Sequence, residues 1–138
     1  MATYNKLDPF VENLAKKVFN LGSDTLKVAL SNSAPLATYN QLSSVTQIAN
    51  GNGYTTGGTA ASITSCVQTS GLLKLILGNV VFTATGAVGP FQYAILYDDT
   101  ATNDELIGWW DYGSAVTLAN GDTFTVSFDA TNGVLTIQ

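Results

Sequence analysis

The chain contains no histidine and no arginine. Without histidine it loses the commonest general base, the usual imidazole metal ligand and the central member of a serine triad. Without arginine it has no bidentate clamp for phosphate or carboxylate. Its single cysteine, Cys66, rules out an internal disulfide and with it a secreted disulfide scaffold. In "SITSCVQTS" that cysteine reads as a small packed apolar residue. Charge is sparse as well. Asp, Glu, Lys and Arg make up 11% of the residues, against roughly 25% in ordinary soluble domains. A surface this poor in charge is expected to hide part of itself against other subunits, or to be carried by Thr, Ser, Asn and Gly.

The charges that exist are unevenly placed. All five lysines lie at or before Lys74, in company with only Asp8, Glu12 and Asp24, and every later charge is acidic. With no basic cluster, a nucleic-acid groove is not expected. The start "MATYNKLDPF" lacks the basic and apolar runs of a signal peptide, and "LLKLILGNVVF" is too short and too interrupted to span a membrane. The expectation is a soluble protein made in a cytoplasm, with neither nucleic acid nor membrane as partner.

A length of 138 residues fits a single domain covering residues 1–138, long enough for a core that needs neither disulfide nor metal. "KLDPFVENLAKKVFNLG" predicts an amphipathic helix over about residues 8–21. Asp8 is the cap, Pro9 takes the first turn and Gly22 is the stop, with a stripe of Leu7, Val11, Leu14, Val18 and Leu21 widened by Phe10. From about residue 25 to 138 the chain reads as strands and loops. In "TLKVALS" Leu26, Val28 and Leu30 alternate with Thr25, Lys27 and Ala29. Residues 31–62 form a long polar connection, with room for a helical turn between Leu42 and Ile48. "SITSCVQT", "LLKLILGNVVFTAT", "GPFQYAILYDD" and "ELIGWWDYG" read as further strands, with Gly78 as a bend and "DDTATND" as a hairpin tip. Asn120-Gly121 and Asn132-Gly133 predict tight hairpins, which would make the C-terminal half an antiparallel meander. The fold expected is mainly β, an antiparallel sandwich or barrel with one N-terminal amphipathic helix.

A catalytic inventory is hard to assemble. "GNGYTTGG" carries no Lys-Ser/Thr and no following helix, so it reads as a loop and not as a phosphate cradle. Asp98, Asp99, Asp104, Glu105 and Asp111 could in principle supply a pair of glycosidase carboxylates, but four of them sit in or beside one polar turn. The same turn lacks calcium-loop spacing. No enzyme, cofactor or metal is expected.

"LIGWWDYG" remains. Neighbouring residues on a strand point to opposite faces, so Trp109 and Trp110 cannot share one. One indole should enter the core; if it is Trp109, Ile107 and Asp111 share its face, whereas Trp110 would leave Ile107 outside and have Gly108 and Tyr112 beside it. The other indole has three possible uses: further cover within the monomer, a subunit interface, or a sugar platform.

"MATYNKLDPFVENLAKKVFNLGSDTLKVALSNSAP" and "VGPFQYAILYDDTATNDELIGWWDYGSAVTLANGDTFTVSFDATNGVLTI" resemble segments of small structural proteins encoded by tailed bacteriophages, over most of the chain. That resemblance implies a virion component, a capsid decoration (cement) protein on the outside of the head shell. Its partners would be the major capsid protein and further copies of itself, as trimer or dimer. Its location would be the virion surface, reached from the host cytoplasm, and the family has no catalytic residues to carry over. The expected contact surfaces are Ala2, Thr3, Tyr4, Asn5 and Lys6, the loop 31–62, and the aromatic group Trp109, Trp110 and Tyr112. Removing residues 2 to 6 is expected to spare the fold. The alternatives are a tail, adaptor or fibre-base protein, and a carbohydrate-binding module using Trp109 and Trp110.

Overall fold

A computed structural model describes residues 2–138. The chain is mainly β, its sheets are antiparallel, and the described residues include one α-helix. Strand β1 is Tyr4–Lys6, helix α1 Asp8–Ala15, β2 Leu26–Ser31, β3 Thr59–Ala61, β4 Ile63–Thr69 and β5 Leu72–Leu77. Then follow β6 Val80–Thr83, β7 Val88–Asp98, β8 Leu106–Leu118, β9 Thr123–Val126 and β10 Leu135–Ile137. A five-stranded sheet runs β1-β8-β7-β2-β3, a three-stranded sheet β10-β5-β4, and β6 pairs with β9.

The long hairpin β7–β8 is the centre, and its sequence explains why. Consecutive residues Ala94, Ile95, Leu96 and Tyr97 are all buried, so both faces of the sheet are covered and the alternation disappears. Leu26, Val28 and Leu30 of β2 join Leu96 and Ile107 in the main core, against Leu75 and Leu77 of β5, Val80 and Phe82 of β6, and Phe10 and Phe19. On the other face Ala29, Ile95, Tyr97 and Leu106 pack with Leu7, Leu42 and Val45. That second cover is largely the irregular segment between β2 and β3. Its 3₁₀ turn at Leu42–Ser44 falls within the helical turn expected there.

The segment is tied down by buried polar groups as well as by packing. The Tyr54 hydroxyl donates to Gln47 Oε1 at 2.7 Å and accepts from Leu30 N–H at 3.1 Å. Tyr97 donates its hydroxyl to Gly57 O at 2.7 Å. Gly58, at φ +75°, lies so close to Val28 that an added Cβ would strike the Val28 carbonyl, so only glycine fits.

Three expectations need correction. The helix is shorter than residues 8–21 and ends at Ala15, without reaching Gly22. Lys17 takes φ 63°, and its N–H donates to Leu14 O at 3.3 Å while Val18 N–H donates to Asn13 O at 2.9 Å. That pattern closes a helix with a left-handed residue, here lysine in place of the usual glycine. Val11 is consequently 52% exposed, and Phe10 is the buried anchor. At the other end Leu7 is the N-cap, and Asp8 makes no side-chain cap.

The two Asn-Gly turns do not close hairpins either. β9 leaves β8 to pair with β6, and β10 pairs with β5. Gly121 and Gly133 take positive φ, but neither asparagine does, so the two-residue hairpin geometry is absent. Around the second turn Asp129 Oδ1 accepts from Thr131 and Asn132 N–H, each at 2.8 Å, which fixes a local loop. Tight turns of that kind are Ser70-Gly71, at φ 52° and 83°, between β4 and β5, and Asn52-Gly53, at φ 54° and 100°, between the bridged Gly51 and Tyr54. The C-terminal half is therefore no simple meander. Its strands cross from one sheet to another.

Candidate functional site

Trp109 and Trp110 lie on opposite faces of β8, as neighbours on a strand must. Trp109 pairs with Ile95, and Trp110 with Ala94. Neither indole is left outside. Trp110 packs half-buried against the main core, with Phe128 at 5.4 Å between ring centroids and Tyr4 at the same spacing. Trp109 packs half-buried against the second core, edge-on to Tyr93 at 5.7 Å. The polar-looking loop has turned the outward face of the sheet into another interior.

The expected company of each indole also changes. The register slips between Leu96 and Tyr97, which pair with Gly108 and Leu106, so Ile107 is an extra residue in β8. The bulge turns Ile107 to the main core beside Trp110 and puts Leu106 with Trp109. Period-two reasoning placed Ile107 with Trp109; the bulge reverses that.

The N-terminal residues are a strand of this sheet. Tyr4 pairs with Trp110, Asn5 with Trp109 and Lys6 with Gly108. An added Cβ at Gly108 would strike the Tyr4 ring, so glycine makes the hole that the tyrosine fills. Tyr4 donates its hydroxyl to Ile107 O at 3.3 Å, and burial raises its pKa well above the ordinary tyrosine value. Asn5 Nδ2 donates to Thr3 O at 3.0 Å. Ala2, Thr3 and Lys6 are exposed, while Tyr4 and Asn5 are half-buried. Removing residues 2 to 6 would strip an edge strand and uncover Trp110.

Between this sheet and β9 lies a cleft of about 200 Å³. Trp110, Phe91, Phe124, Tyr112, Leu30 and Ala94 give it an aromatic and aliphatic lining, and Gln92, Tyr93, Thr125 and Ser127 add amide and hydroxyl groups. Phe124 stands edge-on to both Phe91 (4.8 Å) and Tyr112 (5.4 Å). Tyr112 is 58% exposed, and Ala2 also reaches the lining. Beside it, exposed Asp111 accepts from Gln92 Nε2 at 2.9 Å and from its neighbour Gly113 N–H at 2.7 Å. Among the described residues the lining holds aromatic faces and neutral polar groups, with no carboxylate and no amine. Such a surface can bind a ring or an apolar side chain by stacking and burial.

The structure thus brings Ala2, Tyr4, Trp110 and Tyr112 toward one cleft and sends Trp109 to the opposite face. Sequence reasoning missed Phe91, Gln92, Phe124, Thr125 and Ser127. Phe124 was legible only as an alternating strand residue, because nothing local shows that β9 crosses to face β8.

The acids behave differently. Asp98 and Glu105 are buried in the β7–β8 turn, where Asp98 Oδ1 accepts from Thr100 N–H and Glu105 from Asn103 N–H. Among the described residues no three His, Cys, Asp or Glu side chains stand together as metal ligands. Asp99 pairs with Lys27 at 2.9 Å. Cys66 is half-buried against the main core, and burial raises its thiol pKa, which disfavours the reactive thiolate. Among the described residues no helix is long and apolar enough to cross a membrane. No family model matches the chain, and no curated protein or solved structure matches it either.

Proposed function

We propose that this chain is a non-enzymatic structural protein of a tailed-phage virion, a capsid decoration (cement) protein that binds the outside of the head shell and stabilises it. The observation that carries the reading is the chemistry of the aromatic cleft, which offers stacking faces and neutral polar groups but no acid–base pair. The likeness of the sequence to phage structural proteins and the scarcity of charge point the same way. Val11, Leu36, Val67, Val81 and Tyr112 are large apolar side chains left more than half or about half exposed, as suits a protein seated among neighbours. In this reading the five-stranded sheet and the smaller sheets form a sandwich, and the partners are the major capsid protein and further copies of the chain, as trimer or dimer. Binding assembled shell in preference to free subunits raises particle stability by mass action.

The test is copy number. Purified particles are expected to hold about one copy per shell subunit, or per few subunits, by quantitative mass spectrometry. A handful per particle moves the protein to a tail, adaptor or fibre base, and absence from particles ends the virion reading. Deleting only the exposed Ala2 and Thr3 leaves β1 in place and is expected to lower shell occupancy. Unchanged occupancy removes the arm from the contact surface.

A second reading rests on one observation: Gln92 and Asp111 stand beside the exposed Tyr112 ring and the Trp110 cleft, an aromatic-plus-amide arrangement that suits a pyranose. A glycan that quenches tryptophan fluorescence in the free protein, and fails to do so after Trp110→Phe with Tyr112→Ala, supports a carbohydrate-binding module.

A further inference from the structure

Asp98 ends β7 opposite Leu26 and is fully buried. Its Oδ1 is well served, accepting from Thr100 N–H at 2.9 Å and Ala101 N–H at 3.1 Å. Its Oδ2 is buried with no hydrogen-bond partner. A carboxylate oxygen left so costs several kcal/mol by the usual scale of buried charge, so something must compensate it. The neighbour within hydrogen-bonding reach is another acid, Asp24, whose own Oδ2 accepts from Asn20 N–H at 2.6 Å.

The other charged groups nearby do not supply the missing donor. Lys27, on β2, is engaged by Asp99 at 2.9 Å. Asp99, Asp104 and Glu105, on the turn, add negative charge, and Glu105 is taken up by Asn103 N–H and Nδ2 at 3.1 and 3.0 Å. A divalent cation would need more than two carboxylates, and among the described residues no third His, Cys, Asp or Glu joins them as a ligand cluster. A proton on Asp98 Oδ2 needs only one acceptor within reach.

We propose that Asp98 keeps its proton in the folded protein and shares it with Asp24 through a hydrogen bond, a pH-sensitive clasp between the β7–β8 turn and the segment entering β2. The clasp sits where the two already meet: Asp99 N–H donates to Thr25 O at 2.9 Å, and Thr25 N–H donates to Thr100 Oγ1 at 2.8 Å. A carboxyl that is fully buried with one oxygen unpaired ionises reluctantly, and a proton on that oxygen supplies the donor it lacks. Burial first, and the hydrogen bond with Asp24 second, push Asp98 up to about 7.

The sign follows from that direction. An acid whose folded value exceeds its unfolded one adds stability that is fully present below the unfolded value, about 4, and is lost as pH rises through about 7. Folding therefore takes up about one proton between those limits. Glu12 and Asp129, both exposed and both lowered, act in the opposite sense in the more acid range, outside this window.

Urea unfolding of the intact chain across about pH 4.5 to 8.5 tests the clasp. The folding equilibrium constant is expected to fall about tenfold per pH unit in the middle of the window. Asp98→Asn and, separately, Asp24→Asn each place an amide donor between the two side chains and are expected to abolish that slope. Calcium added at about pH 8 is expected to stabilise neither the wild type nor the variants. A wild-type slope near zero, a slope that persists in either variant that folds, or calcium stabilisation lost in Asp98→Asn would each overturn the shared proton.

Discussion

The five-stranded sheet is covered twice, by materials that differ in kind. On one face regular strands and the helix bring Leu75, Leu77, Val80, Phe82 and Phe10 against Leu96 and Val28. On the other face an irregular segment brings Leu42 and Val45 against Ile95 and Ala29, and holds its course through Tyr54, Tyr97 and Gln47. The strand side is positioned by ladders that extend beyond any one contact. The segment side is positioned by single hydrogen bonds, among them Ile48 N–H to Leu30 O at 3.1 Å and Leu42 N–H to Asp104 O at 3.0 Å, and by glycines that let backbones touch. Equal burial on the two faces therefore need not mean equal stiffness.

The largest effect should come from truncating adjacent core residues of β7 that point to opposite faces. Leu96 and Ile95 are both fully buried. Leu96→Ala is expected to cost about 4–5 kcal/mol, because strands on both sides hold the cavity open, whereas Ile95→Ala is expected to cost about 2–3 kcal/mol as the segment settles into the space. Urea midpoints at constant slope measure the difference. Equal costs would show that the segment is as rigid as the strands and would dissolve the contrast.

Tyr54→Phe comes next. It removes the acceptor of the buried Leu30 N–H, while Gln47 Oε1 keeps Gly57 N–H, at an expected cost of about 1–3 kcal/mol. The contrast sharpens if hydrogen exchange then quickens through residues 41–58 while β5 and β6 stay protected, since a cover pinned by few bonds should open locally. Uniform loss of protection would mean that both covers unfold as one.

How the two covers appear in the sequence differs just as much. The strand side was legible from alternation: Leu26, Val28 and Leu30 stand where period two places them, and the β7–β8 hairpin follows from its polar tip. The segment side was not. Leu42 and Val45 recur at no period and lie among Ser, Asn and Gln, and Gly58 passes Val28 closely, a contact made by backbone with no side-chain pattern to announce it. Trp109 and Trp110 were correctly sent to opposite faces, but the bulge at Ile107 and the loop that covers Trp109 are tertiary facts. Helix α1 was found and over-extended, because a lysine at φ 63° ended it where only glycine was sought. Ser70-Gly71 was overlooked in favour of two Asn-Gly pairs whose strands belong to different sheets. Of the cleft, Trp110 and Tyr112 were visible, and Phe91 and Phe124 required the fold.

The smallest expected effect tests the junction of the two covers. Tyr97 points to the segment face and donates its hydroxyl to Gly57 O at 2.7 Å, with Asp99 Oδ1 at 3.4 Å as a weaker acceptor. Burial first, and the nearby negative charge of Asp99 and Asp104 next, raise its pKa, so the hydroxyl keeps its proton throughout the neutral range. Tyr97→Phe should cost about 1 kcal/mol near neutral pH, since one neutral hydrogen bond is lost and the ring still fills its place. A raised tyrosine contributes stability that is whole below its unfolded value, about 10, and disappears as pH rises toward the folded one. Wild type should therefore lose ground against Tyr97→Phe above about pH 10, with the gap between their urea midpoints narrowing and then reversing. A gap that stays constant through that range would mean that the Tyr97 hydroxyl is not held buried beside Asp99 and Asp104 in the folded protein, and that this junction of segment and sheet rests on packing and on backbone bonds such as those of Leu42 and Ile48.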